Sequence, residues 1–332
     1  MLVNESLQDL TITLCYRPIQ ATRDKQHLVT SLLSEAGYRV AQASNQRLHL
    51  TKTDILWILE NANWFPIVCR QLQTMPRSER PTVVIWHSEP LPPPKSAGLS
   101  HPCLHLRDIA KILLSDRLAN DAYTNYFRLR ALMDEGIPDL LLVSTPGRQQ
   151  FLAEHGFSSK FVPLGYHRAE YGYDMGLQRD IEVLFLGALK IPHRKRLLKR
   201  LRGRGTNLVA KGSWSDADHW GENRTELLNR TKVFLNLQRY PGELSGARLI
   251  LGMANRALVI SEPIYKPGDF IPGKHFVSAT SDEMPEVIEY YLNHDAEREC
   301  IAAEGHRLVT QELTMERSIS EILELISNHV NQ

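Results

Sequence analysis

The sequence is short of cysteine. There are four in 332 residues, at Cys15, Cys69, Cys103 and Cys300, with no CxxC pair among them. Such spacing gives no disulfide framework and no zinc ribbon, and three of the four lie in or beside apolar stretches, as buried free thiols in a reducing compartment do. Charge of one sign is lacking as well: 39 lysines and arginines face 38 aspartates and glutamates, a net +1. That balance argues against a broad basic face for nucleic acid. Long apolar runs are missing. A stretch such as DLLLVS (139–144) is far short of the ~20 residues that a membrane span needs. The opening MLVNESLQDL has no basic region followed by an apolar run, so no secretory leader is expected and the cytoplasm is the expected compartment. The thirteen histidines form no HExxH and no paired spacing with cysteine, which leaves a structural zinc site unexpected. No internal repeat, heptad or low-complexity tract is found.

What is present is a rhythm of short apolar runs and helix-like segments. In the first half, strands are predicted at 10–15, 38–43, 54–59, 82–86, 140–143 and 161–164, with helices at 24–35, 66–72, 106–114, 122–133 and 146–155. Strand, helix, strand in this order means parallel strands joined by right-handed crossovers, a doubly wound sheet. The stretch GYHRAEYGYDMGLQ (165–178) has no periodicity and reads as a linker. The rhythm then restarts, with strands at 181–186, 207–210, 233–237 and 258–260 and helices at 193–201, 225–229, 247–254, 284–293, 297–310 and 316–327. The expected division is a first α/β domain over 1–165, a linker over 166–178, a second α/β domain over 179–315, and a final helix over 316–332 that packs back on the first domain. Ligands of such sheets sit beyond the carboxyl ends of the strands, so residues just after strands carry the functional information.

Three such places stand out. In GALKIPHR (187–194), Gly187 ends a strand and a basic loop opens a helix, whose free N–H groups suit phosphate; Lys190 and Arg194 add charge. The plain reading is a solvated basic helix face, and that holds for Lys199, Arg200 and Arg202. In YPGELSGAR (240–248), the glycines and Ser245 let backbone approach a ligand. Arg248 offers a fork of donors to a diphosphate, and Glu243 can accept from sugar hydroxyls. The alternative is an ordinary turn with a cap at Ser245. Lys211 and Tyr240 complete the donor-binding set with Gly187, Lys190, Arg194, Glu243, Ser245, Gly246 and Arg248. In WHSEP (86–90), His87 and Glu89 follow a buried strand and are the catalytic candidates, as a general base or as holders of the transferred sugar. Tyr16 and Arg17, just after the first strand, are the acceptor-contact candidates. The DAD triplet at 216–218 lies in a polar loop rather than directly after a buried strand, so no metal site is assigned to it.

Two longer segments carry a family resemblance. TKVFLNLQRYPGELSGARLILGMANRALVIS resembles the nucleotide-sugar motif of group-1 glycosyltransferases, and FIPGKHFVSATSDEMPEVIEYYLNHDAERECIAAEGHRLVTQELTMERS resembles the end of their CgeB-like, spore-maturation-type branch. VLFLGALKIPHRKRLL fits the same domain's first strand and loop. The resemblance is good over about 180–320 and extends to 10–165 only as strand order, with WHSEP in the place of the family's strand-end histidine. It implies the GT-B fold, two Rossmann-like domains facing a cleft. The activity implied is transfer of a hexosyl-like sugar from a nucleotide-diphosphate sugar to an unknown acceptor, without metal or other cofactor. The sequence departs from the family at two points: Leu251 stands where the motif has its second glutamate, and Ala188 where an arginine usually follows the first glycine. A non-catalytic relative that binds a nucleotide sugar or glycan, and a nucleotide-sugar epimerase of the same architecture, are the competing readings.

Overall fold

The computed structural model describes residues 7, 9–16, 20–59, 62, 65–100, 106, 109–110, 122–212, 220–244 and 246–331. The chain divides into two compact units, Met1–Pro163 with Glu316–Gln332, and Leu164–Met315.

Unit 1 is built on β1 (Thr11–Cys15), β2 (Arg39–Ala43), β3 (Ile55–Ile58), β4 (Thr82–His87), β5 (Leu140–Val143) and β6 (Lys160–Phe161). All pair in parallel, in the order β2-β1-β3-β4-β5-β6. Between them run α1 (Gln20–Glu35), α2 (Pro66–Thr74), α3 (Ala122–Asp134) and α4 (Pro146–Glu154). Parallel strands covered on both faces must be apolar throughout, and β3 (ILWI) is buried at every position. Trp86 of β4 is fully buried and its indole N–H reaches the Val162 carbonyl at 3.1 Å. Helix α4 starts at a proline behind Thr145, whose side chain accepts from the Arg148 amide. The cysteines follow the strand pattern in part. Cys15 and Cys69 are buried, and burial pushes both thiols up to about 12. Cys300 is exposed, because its helix turns it to solvent, and Cys103 lies outside the described residues, as does most of the helix expected at 106–114.

Unit 2 contains α5 (Arg168–Tyr171), β7 (Ile181–Leu186), α6 (Pro192–Gly203), β8 (Leu208–Lys211), α7 (Gly221–Asn229), β9 (Thr231–Asn236), α8 (Gly246–Ala254), β10 (Leu258–Ser261), β11 (Val277–Ser278), α9 (Met284–Asn293) and α10 (Asp295–Arg307). Its sheet, β11-β10-β9-β7-β8, is again parallel throughout. Side-chain alternation sends Leu184, Phe234 and Val259 to one core layer and Val183, Phe185, Leu235 and Ile260 to the other. The last helix, α11 (Met315–Val330), clusters with unit 1 from Glu316 onward. Among the described residues no helix is long and apolar enough to cross a membrane.

The 165–178 stretch differs from a free linker. Tyr166 and Thr314 form a parallel bridge, with the Tyr166 amide on the Leu313 carbonyl at 2.7 Å and the Met315 amide on the Tyr166 carbonyl at 2.8 Å. A side chain on Gly165 would strike the Met315 backbone at 2.4 Å. Tyr171 is buried, and Asn255 donates to its carbonyl at 2.8 Å. Apart from the short helix α5, tertiary hydrogen bonds rather than a regular element hold the segment, which is why it has no periodicity.

Gly252 lets α8 lie directly on the sheet, since a Cβ there would sit 2.5 Å from Val259 Cγ2 and 2.7 Å from Phe234 Cδ1. Alanine gains ~1 kcal/mol over glycine in a helix interior, while overpacking a stiff core costs ~1–3 kcal/mol. The contact wins. Gly252→Ala is expected to lower unfolding free energy by ~1 kcal/mol or more in urea titrations; a variant more stable than the parent would reverse that ranking.

Candidate functional site

In unit 2 the chain passes from β7 to one side of the sheet and returns to the other side at β9. The topological switch therefore lies between β7 and β9, where open α/β sheets hold their ligands. Two loops meet there. The first leaves β7 at Gly187, whose φ of +152° is open to glycine alone and whose amide donates to the Lys211 carbonyl at 3.0 Å. The second leaves β9 at Asn236 and enters α8 at Gly246, with Arg248 in the first turn.

Arg248 is partly buried. Its Nη1 donates to Asn236 Oδ1 at 3.0 Å and to the Leu237 carbonyl at 2.9 Å. Among the described residues Nε and Nη2 have no hydrogen-bond partner. Nη2 lies 3.5 Å from the point where a Gly187 side chain would begin. One half of the fork is anchored, and the other half faces the glycine backbone.

Arg194 behaves differently. It is 3% exposed, and its guanidinium is spread over three carbonyls: Leu237 at 2.6 Å, Gln238 at 3.2 Å and Ala188 at 3.4 Å. It joins the two loops rather than pointing at a ligand. Burial pushes it down to about 10, and the neighbouring Arg248 adds to that. Arg248 is likewise lowered by burial, with Glu243 and Glu262 opposing.

Three residues missed at the level of sequence complete the site. Gln238 donates to the carbonyls of Glu262 and Pro263 at 3.0 and 2.8 Å and accepts from the Gly242 amide at 2.8 Å, fixing the loop on both sides. Glu262, the first residue beyond β10, accepts from the Gln238 amide at 2.7 Å and from Ser281 at 2.7 Å. Burial opposes its charge, but these bonds and His193 hold the carboxyl below the usual range. His193 lies 2.8 Å from the Gln238 carbonyl and 3.7 Å from Glu262. The available signal was the carboxylate standing directly after a buried strand in LVISE.

The other expected donor residues lie on the same edge of the sheet. Lys211 ends β8, Lys190 is exposed in the first loop, and Tyr240 and Glu243 line the second. Glu243 accepts from the Arg239 amide at 3.3 Å, and the Arg239 guanidinium lies 5.6 Å from the Tyr240 ring centre. Gly246 opens α8 with free space at its Cα. Ser245 lies outside the described residues, as do the DAD triplet and Arg17. Leu251, one turn after Arg248, packs against the apolar layer of Phe234 and Leu249.

In unit 1 the switch falls between β1 and β3, and Tyr16 stands there, partly buried, its amide on the Ala43 carbonyl at 3.0 Å. His87 ends β4, paired with Val143, and is 0% exposed; among the described residues neither ring nitrogen has a well-formed hydrogen bond, and the Glu89 backbone makes only a weak contact. Burial, with Arg148 adding, pushes the imidazole down to about 3. This differs from the exposed base expected of a strand-end histidine: the side chain points into the packed layer rather than past the strand end, and at that value it has little driving force as a base near neutral pH. Glu89, two residues on, is partly exposed.

Comparison with known proteins places these features. Residues 193–324 match the model of a family described as glycosyl transferase-like. No curated protein matches the chain by sequence. Among solved structures, HepE of Anabaena in complex with UDP and glucose aligns over 96% of this chain and 100% of its own, with TM-score 0.63 and 11% identity. A UDP-forming α,α-trehalose-phosphate synthase of Burkholderia xenovorans covers 95% and 98%, with TM-score 0.56 and 11% identity. AviGT4, a glycosyltransferase involved in avilamycin A biosynthesis, covers 95% and 96%, with TM-score 0.53 and 13% identity. The fold is GT-B: two parallel α/β sheets of Rossmann type with interleaved helices.

The His87 environment has a pH consequence. Its folded-state value lies below the ~6.5 of an unfolded chain, so the unfolded chain takes up the proton first. Stability is therefore intact above about pH 6.5 and is withdrawn as pH falls toward 3. Thermal melts of His87→Leu from about pH 4 to 7 should show a flatter acid limb than the parent; equal acid limbs would remove His87 as the responsible group.

Proposed function

We propose that the protein is a glycosyltransferase that moves a sugar from a uridine-diphosphate sugar to an acceptor, with the donor at the β7–β9 switch of unit 2. The observation that carries this reading is Arg248, anchored through one nitrogen and open through the others beside the Gly187 backbone. A guanidinium held this way, in the first turn of a helix, suits a diphosphate. The UDP in the HepE structures and the family match over 193–324 support the same assignment. The resemblance of the C-terminal segment points further to a CgeB-like branch.

In this reading Arg248 and the N–H group at Gly246 bind the diphosphate, Gly187 allows its close approach because it has no side chain, and Lys190 and Lys211 add positive charge. Ser245 and Tyr240 belong to the same donor-binding set, and Glu243 accepts from sugar hydroxyls. Arg194, together with Gln238 and Glu262, is a positioning residue. Unit 1 takes the acceptor in this reading, with Tyr16 and Arg17 as the contact candidates. Of the WHSEP pair, Glu89, which is partly exposed, is the candidate to meet substrate, and buried His87 supports the end of β4. Developing charge on the leaving diphosphate is stabilised by preorganised donors, so transfer proceeds without metal. A non-catalytic donor-binding relative is the second reading, favoured by Leu251, whose apolar packing offers no carboxylate to the ribose; turnover of the donor to free UDP distinguishes the two.

Arg248→Ala should weaken UDP binding by ~1.5–3 kcal/mol, the scale of a charge-assisted hydrogen bond, and Arg248→Lys should fall between. Calorimetry showing full affinity in a folded Arg248→Ala protein would overturn the assignment. Transfer activity should also survive EDTA; loss on chelation with recovery on adding manganese or magnesium would mean that a cation carries the diphosphate.

A further inference from the structure

The candidate donor crevice occupies the carboxyl edge of the unit 2 sheet. At the opposite, amino edge lies a separate cleft of about 430 Å³. Its walls come from the segment after α5 (Asp174, Arg179), the start of β9 (Lys232), the turn after α8 (Arg256) and the start of α10 (Asp295, Arg298, Glu299). Lys232 and Asn236 are four steps apart along β9, roughly 13 Å at ~3.3 Å per residue, so the two sites stand at opposite ends of one strand.

The charges of this cleft are unevenly satisfied. Each carboxylate already has a cationic partner. Asp174 meets Arg256 at 3.3 Å and also accepts from the Gly176 amide at 3.0 Å. Asp295 and Glu299 are both taken by Arg298. The cations are not used up in return. Lys232 forms no ion pair within 4 Å and no side-chain hydrogen bond among the described residues, although the Asp295 carboxylate is near enough to feel its charge. Arg298 is 4% exposed, yet its Nε has no acceptor. A buried guanidinium N–H without an oxygen is costly, and structures seldom leave one unexplained. Arg179 is fixed by its bonds to the Thr231 and Asn255 carbonyls, at 2.6 and 3.0 Å, which makes that wall rigid.

Arg256 adds an independent sign. The turn after α8 is a Schellman motif, with the Ala257 amide on the Gly252 carbonyl at 3.1 Å and the Arg256 amide on the Met253 carbonyl at 2.9 Å. The position after the cap in this motif takes a left-handed backbone and is usually glycine. Here it is Arg256, at φ +56°. Its side chain lines the cleft, with Nη1 on Asp174.

We propose that this cleft is a second anion site of unit 2 that binds a phosphate group, either the free anion or the phosphate of a small phosphorylated metabolite. The donors left over are the Lys232 ammonium and one N–H of Arg298, the walls are polar, and the volume exceeds that of phosphate alone, leaving room for an ester. The site is independent of the donor reading, because it shares no residue with the crevice at Gly187 and Arg248.

The test is a calorimetric titration of the whole protein with orthophosphate and, separately, with a hexose 6-phosphate, each with and without excess UDP. Saturable binding that UDP does not displace is expected, and Lys232→Gln should weaken it at least tenfold while melting normally. If Lys232→Gln fails to fold, Lys232→Arg, which keeps the charge, should bind and Arg256→Gly should weaken binding. A hexose phosphate that binds more tightly than orthophosphate identifies an ester as the ligand, and equal affinity identifies the free anion. No saturable binding, binding abolished by UDP, or unchanged affinity in a folded Lys232→Gln or Arg256→Gly protein would overturn the proposal.

Discussion

Where β9 leaves the sheet, the carbonyls of Leu237 and Gln238 lose their neighbouring strand and still need donors. A buried backbone acceptor left alone costs about as much as a lost hydrogen bond, and here two arginines supply the need. Arg194 and Arg248 share the Leu237 carbonyl, and Arg194 continues to Gln238 and Ala188. This arrangement sets the path of both loops at the switch, and it also brings two like charges together. Their mutual repulsion is tolerated because carbonyl dipoles and the carboxylates of Glu243 and Glu262 surround them. An anion entering beside Arg248 would relieve that repulsion further, so the feature that shapes the loops also prepares them for a negatively charged ligand.

Much of the fold was legible because parallel strands covered on both faces must be apolar along their whole length. TVVIW, IEVLFL and LVIS announce themselves for that reason, and the doubly wound order follows from the alternation with helices. The two-residue strand Val277–Ser278 was not legible, since so short a run carries no period. Neither was the binding of the 165–178 segment to unit 2, which rests on Asn255 and Thr314, residues far away in sequence.

For the candidate site, position was easier to read than orientation. Gly187 and His87 stand at strand ends and Arg248 in the first turn of α8, as the pattern of apolar runs suggests. Whether a side chain points past the strand end or into the layer beneath depends on pleat and neighbours, which no local pattern encodes. Arg194 and His87 are both buried, one with its guanidinium on carbonyls and the other beside Arg148. Gln238 and Glu262 escaped notice because their partners are one another, joined across two strands that are adjacent only in the folded sheet.

The bridge between Tyr166 and Thr314 bears on how the molecule is made. Unit 1 is discontinuous: its final helix is synthesised only after about 150 residues of unit 2 have emerged. Closing so long a loop carries an entropy cost that rises with the logarithm of its length. Once unit 2 has folded, however, its first and last residues are fastened side by side, with Gly165 against Met315. The long loop becomes, in effect, a short one, and α11 is delivered to the point where unit 1 left off. Vectorial synthesis and the clasp together favour an order in which the second unit is complete before the first.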